Sequence, residues 1–189
     1  MTKIFIGGSR QVSRLNSQIR ARIDNIVSRN LPIVIGDANG VDKAVQSYLR
    51  SMGYLNVEVF CSAGFCRNNV GDWEIRSISA GTRQRKADFY AAKDRVMTRE
   101  ADIGLMIWDG KSVGTLLNAI RLVSMNKIVV MYVVPDRKFW EIRGRDELES
   151  FLACCDSKVR RAAELRAERE NLPSSIESHD TSQETLPLA

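Results

Sequence analysis

Five short apolar runs, each separated from the next by a stretch of helical length, constrain this chain more than any other feature. They are Lys3 to Ile6 before Gly7-Gly8, Ile33 to Ile35 before Gly36, Val57 to Phe60, Ile103 to Trp108 before Asp109-Gly110, and Ile128 to Val134 before Pro135. Short runs rich in Ile, Val and Phe, with little polar alternation, read as strands buried on both faces. Between them the period changes. Leu15, Ile19, Ile23, Ile26 and Val27 form one helical stripe, with Ser13 in the N-cap position, and Leu116, Leu117, Ile120 and Val123 form another. Val41 to Met52 and residues 84–101 also read as helices, the latter from the recurrence of Ala87, Tyr90, Ala91, Asp94, Met97 and Ala101. Strands alternating with helices predict βαβ units. The expected fold is α/β, a three-layer Rossmann-like domain over residues 1–135 with a mostly parallel sheet of about five strands.

Beyond residue 135 the pattern weakens. Phe139 to Ile142 reads as a short edge strand or a packing segment, and Asp146 to Glu170 as one helix docked through Leu148, Phe151, Leu152 and Val159. Residues 136–170 thus form an edge segment and a charged helix whose later half reads as solvated. Residues 171–189 lack aromatic residues and read as a disordered acidic tail. Glu177, Asp180 and Glu184 give that tail a charge of −3, which leaves +8 on residues 1–170 of a chain whose total is +5.

Several chemistries are excluded at this level. The longest apolar run, Ile128 to Val134, is far short of the roughly 18 residues that cross a bilayer, so no membrane role is expected. The N-terminus has no signal-peptide pattern, and a cytoplasmic location is expected. One histidine, His179, stands in the tail, which removes Ser-His-Asp and Cys-His catalysis from the folded part. Cys61, Cys66, Cys154 and Cys155 lack paired zinc-ligand spacing and read as free thiols; no metal is expected.

In an open parallel sheet, ligands bind beyond the carboxyl ends of the strands. Three glycine-bearing turns stand there: Gly7-Gly8-Ser9-Arg10, Gly36-Asp37-Ala38-Asn39-Gly40, and Asp109-Gly110-Lys111-Ser112-Val113-Gly114-Thr115. Turns that open helices offer free N–H groups to a phosphate or carboxylate. Neither G-x-x-x-x-G-K-[ST] nor G-x-G-x-x-G is present, so no nicotinamide or flavin cofactor is expected. Arg10 and Lys93 are candidate phosphate contacts, the latter beside Arg83, Arg85, Lys86 and Arg95. Asp42 is a ligand contact or a helix cap. Asp94 and Asp109 are the candidate catalytic carboxylates, and Trp73 and Trp108 are candidates for stacking on a base.

Gly7-Gly8-Ser9-Arg10, Ile35-Gly36-Asp37-Ala38-Asn39-Gly40-Val41-Asp42-Lys43-Ala44, and Ala101-Asp102 leading to Trp108-Asp109-Gly110-Lys111-Ser112-Val113-Gly114-Thr115 together resemble the SLOG superfamily of Rossmann-like domains. That group includes the "Lonely guy" phosphoribohydrolases, the DNA-processing protein A fold and the YspA-like proteins, whose pattern is nearest. The resemblance implies a nucleotide or nucleotide-derived ligand and a homodimer formed through helices flanking the site. The chain departs from the hydrolytic pattern at two places. Asn118 stands three residues after Thr115, where the hydrolases carry a glutamate, and Lys93 stands four before Met97, where they carry an arginine. An amide cannot be a carboxylate nucleophile or general base. The expectation is therefore a nucleotide-binding sensor or sequestering protein. The alternative is an N-glycosidase that uses an aspartate. With only 7% aromatic residues and no recognition motif, nucleic acid is disfavoured as a partner.

Overall fold

A computed structural model describes residues 1–62, 65–79 and 86–172, the backbone alone over 86–90. The elements run β1 (Ile4–Gly8), α1 (Ser17–Ser28), β2 (Ile33–Gly36), α2 (Val41–Ser51), β3 (Val57–Ser62), β4 (Glu74–Ile78), α3 (Lys86–Glu100), β5 (Ile103–Trp108), α4 (Val113–Ser124), β6 (Ile128–Val133), β7 (Lys138–Ile142), α5 (Arg145–Ala153) and α6 (Ser157–Arg169). The fold is a Rossmann-like α/β sandwich. Its sheet has seven strands in the order β4-β3-β2-β1-β5-β6-β7, all parallel except the β6–β7 pair.

Each central strand feeds two cores, because successive side chains leave opposite faces of the pleat. Ile4, Ile6, Ile33, Ile35, Val57 and Val59 meet Ile19, Ile23, Val45 and Leu49 of α1 and α2 on one face. Phe5, Val34, Phe60, Met106 and Trp108 meet Met97, Leu116, Ile120, Phe151 and Ala163 of α3 to α6 on the other. This double burial is why the strands carry no polar alternation.

Four expectations are corrected. The sheet has seven strands rather than about five; Glu74 to Ile78 pairs in parallel with β3 as an edge strand, mostly exposed, and so shows no apolar run. The cap of α1 is Asn16, whose Oδ1 accepts from the Ile19 N–H at 3.0 Å, rather than Ser13. The expected single helix over 146–170 is two, because the Asp156 side chain accepts from the Lys158 and Val159 N–H groups and starts α6 afresh. Cys61 and Cys66 are joined as a disulfide rather than free, while Cys154 and Cys155 remain thiols. Among the described residues no helix is long and apolar enough to cross a membrane. Residues 173–189 of the expected tail, with His179, and the side chains of Arg83, Arg85, Lys86, Ala87 and Tyr90 lie outside the described residues, whereas Leu172 packs on the core.

Candidate functional site

The order of strands places a crevice at one point. β1 pairs with β2 on one side and β5 on the other, so the connections diverge there and leave a gap beyond the carboxyl ends of β1 and β5. A cleft of about 530 Å³ occupies it. Gly7, Gly8, Ser9 and Arg10 form one wall, Asp109, Lys111, Ser112, Gly114 and Thr115 the opposite wall, and Asp42, Lys93 and Asp94 the floor.

The two walls are tied together by one carboxylate. Ser9 Oγ donates to Asp109 Oδ2 at 2.6 Å, and Asp109 Oδ1 accepts from the N–H groups of Lys111 at 3.0 Å and Ser112 at 2.8 Å. Partial burial would raise the Asp109 carboxyl, but these three donors outweigh it and hold it below the usual carboxylate range. A carboxylate so engaged builds the turn and makes a poor proton acceptor. Gly8 allows the walls to approach, since a Cβ there would collide with the Ile107 carbonyl oxygen.

The α4 terminus is capped at Thr115, whose N–H donates to Ser112 Oγ at 3.4 Å, and open at Val113 and Gly114. Ser112 caps it and its Oγ accepts from Thr115 Oγ1 at 2.9 Å. The first N–H groups of any helix have no partner within it. Gly114 stands among them, and a Cβ at Gly114 would meet nothing within 4 Å. Its φ is not positive, so neither packing nor backbone conformation requires a glycine at this position. The backbone at this position is open to close approach from the cleft.

The floor is a buried ionic cluster. Lys93, 4% exposed, places Nζ 3.0 Å from Asp94 Oδ1 and 3.8 Å from Asp37 Oδ1. Asp42 Oδ2 accepts from the Ala38 N–H at 3.1 Å. Burial alone would lower the Lys93 ammonium, but Asp94, Asp42 and Asp37 together raise it above its ordinary value. Burial pushes the Asp42 carboxyl up to about 6, against the pull of Lys93. Asp37 is also buried; a two-pronged contact from Arg67, at 2.6 Å and 3.0 Å, and the charge of Lys93 hold it low. Three carboxylates thus share two cations, and Asp42 is the one left protonatable near neutrality.

Six expected site residues do not line the cleft. Gly36 and Asp37 lie beneath the floor, where any Cβ on Gly36 would strike the Asp42 carboxylate and the Lys93 ammonium. Gly40, at φ +84°, lets the chain pass against the Arg10 backbone. Gly110, at φ +82°, serves the turn after β5. Trp108 is 3% exposed, donates Nε1–H to the Ser112 carbonyl at 3.0 Å and packs edge-on against Phe151; it is a packing residue and does not stack on a base. Trp73 is likewise buried and donates to the Tyr54 carbonyl.

Others were missed. Arg121, buried at the cleft edge, donates Nη1–H to Asn118 Oδ1 at 2.6 Å, and Asn118 Nδ2–H reaches Asp94 Oδ2 at 3.4 Å. Glu170 accepts from Arg121 Nε at 2.8 Å and from Arg95 Nη1 at 3.0 Å. Arg166 of α6 also lines the cleft. Gly114, Asn118 and Arg121 stand at i, i+4 and i+7, one helix face, which is a signal the sequence carried. Nothing in the sequence brought α6 to this cleft.

No protein-family model and no curated protein matches the chain. Among solved structures it is similar to DNA processing protein A from Helicobacter pylori, described for its single-stranded DNA binding mode. That match has 17% identity and a TM-score of 0.53, over 89% of this chain and 81% of the other. At this identity the likeness shows the fold. It also corrects the dismissal of nucleic acid as a partner, because a protein with this fold binds single-stranded DNA.

Proposed function

We propose that the cleft binds a nucleotide or nucleotide-derived ligand, with its phosphate on the α4 terminus, and that the chain acts as a sensor or sequestering protein of the SLOG kind, YspA-like branch. The observation that carries this reading is the open first turn of α4 at Val113 and Gly114, with the Ser112 and Thr115 hydroxyls beside it, facing the Gly7-Gly8-Ser9 turn across one cleft. Helix-terminal amides favour an anion, and Arg10 and Lys111 on the walls add charge of the right sign. The carboxylate floor suits hydroxyl or amino donors instead, so the ligand enters with its phosphate at α4 and its neutral part toward Asp42 and Asp94. Single-stranded nucleic acid is the second reading, favoured by the fold match and by Arg166 beside the cleft; its terminal phosphate would take the same open turn.

The alternative of aspartate-dependent N-glycosidase chemistry turns on Asn118. Its amide is held between Arg121 and Asp94, so it positions neighbours and supplies no nucleophile. Chromatography of a nucleotide panel incubated with the wild-type protein is expected to show no free base. Asn118→Glu restores a carboxylate and is expected to produce measurable base release, general acid–base groups being worth about 10²–10⁴-fold. Rapid release by the wild type, abolished by Asp94→Ala, would replace the binding reading with the enzymatic one.

A further inference from the structure

The segment after β3 holds a chemical group that the cleft does not use. Cys61, 1% exposed, and Cys66, half-buried, are joined, with 5.1 Å between their Cα atoms. Cys66 is thus the more solvent-accessible residue of the pair. The next residue, Arg67, gives its backbone N–H and Nε–H to Asp37 Oδ2 at 3.1 Å and 3.0 Å, and its Nη2–H to Oδ1 at 2.6 Å. Asp37 in turn lies 3.8 Å from the Lys93 ammonium on the cleft floor. A continuous polar chain thus links the sulfur pair to the cleft through Arg67, Asp37 and Lys93.

The disulfide is not what keeps this segment in place. Gln46 Nε2–H donates to the Asn68 carbonyl at 3.2 Å, Gln46 Oε1 accepts from the Val70 N–H at 2.9 Å, and Asn68 Nδ2–H donates to the Asp37 carbonyl at 2.8 Å. None of these bonds involves a sulfur atom. The pair closes a ring of only a few residues, where a cross-link removes little chain entropy. Opening it changes one thing chiefly, the tether that holds Arg67 against Asp37.

We propose that Cys61–Cys66 is a thiol–disulfide exchange site for low-molecular-weight thiols, and that its state sets the anion affinity of the cleft through Arg67, Asp37 and Lys93; the second half rests on the nucleotide reading above. In reduction, a dithiol's thiolate bonds to Cys66 Sγ and Cys61 leaves as a thiolate. The dithiol's second thiolate then attacks its own sulfur in that mixed disulfide, and Cys66 leaves. Two electrons pass to the pair, two protons follow, and the reagent departs as its cyclic disulfide. A low-molecular-weight disulfide reverses the sequence.

The test uses the full chain equilibrated with oxidised glutathione or with dithiothreitol, then alkylated and weighed. Two cysteines, Cys154 and Cys155, are expected to label in the oxidised form and all four in the reduced form. Reduction is expected to speed amide exchange at Asp37 to Ala38 and at Arg67 to Asn68, and to weaken binding of adenosine 5′-monophosphate by about 3–10-fold, a span that linkage through one ion pair can supply. Cys61→Ser and, independently, Cys66→Ser are expected to match the reduced wild type and to ignore dithiothreitol. Labelling of all four cysteines after glutathione disulfide treatment, or stoichiometric zinc held by the thiols beside Asp37, would overturn the exchange site. Equal amide exchange in both states would overturn the coupling. Exchange that responds while adenosine 5′-monophosphate binds neither form would sustain the thiol–disulfide site and overturn the nucleotide reading.

Discussion

Lys93→Met is expected to cost about 3–5 kcal/mol of folding stability at pH 7, the usual penalty for removing one partner of a buried ionic cluster. Lys93 is nearly inaccessible to solvent and faces Asp37, Asp42 and Asp94. Among the described residues, Arg67 is then the remaining cation that pairs with one of those carboxylates, Asp37. The methionine fills most of the volume, so the loss measures charge rather than a cavity. Lowering the pH toward 4 is expected to recover part of the deficit as the orphaned carboxylates protonate. Urea unfolding of both proteins at pH 7 and pH 4 checks this; a deficit below about 1 kcal/mol at pH 7, or one independent of pH, contradicts the account of the floor.

Asp42→Asn is expected to do the opposite and stabilise the protein. The folded carboxyl is pushed up to about 6 from an ordinary 3.8, so the native state holds its proton over a window in which the unfolded chain has lost it. Stability therefore falls as pH rises from about 4 to about 6, and the cost is fully present above pH 6. A rise of that size corresponds to about 3 kcal/mol. The asparagine keeps an oxygen for the Ala38 N–H and carries no charge. Its melting temperature is expected to exceed that of the wild type by several degrees at pH 8, with the gap closing toward pH 4. Equal melting temperatures at pH 8 would show that burial does not disfavour the Asp42 carboxylate.

How much of this was legible depends on the range of the interactions concerned. β5 and α4 carry the bounds read from the sequence, because an unbroken apolar run followed by Asp-Gly and a Ser cap is a local signal. β4 was not legible: Glu74, Ile75, Arg76 and Ser77 are exposed at the sheet edge, and nothing in their order demands burial. The break between α5 and α6 rests on a single Asp156 cap inside a helix-prone stretch. The glycine turns could be placed on one sheet edge from strand order alone. The floor could not, since Lys93, Asp37 and Asp42 come from three elements whose meeting is set by how α3 packs over β2 and β3. Trp108 misled because a tryptophan at a strand end looks alike whether it faces a ligand or, as here, Phe151.

The central claim is that a phosphate sits on the exposed backbone at the start of α4. Titration of the wild type and Gly114→Val by calorimetry, with the four ribonucleoside 5′-monophosphates, their nucleosides and a 5′-phosphorylated oligodeoxynucleotide, addresses it directly. The Cβ of a valine there meets nothing within 4 Å, and the variant is expected to melt like the wild type. At least one phosphorylated ligand is expected to bind the wild type at least tenfold more tightly than its unphosphorylated counterpart, about 1.4 kcal/mol, and to lose at least tenfold in Gly114→Val. Saturable binding that ignores both the phosphate and Gly114→Val, or no binding by any member of the panel, would contradict it.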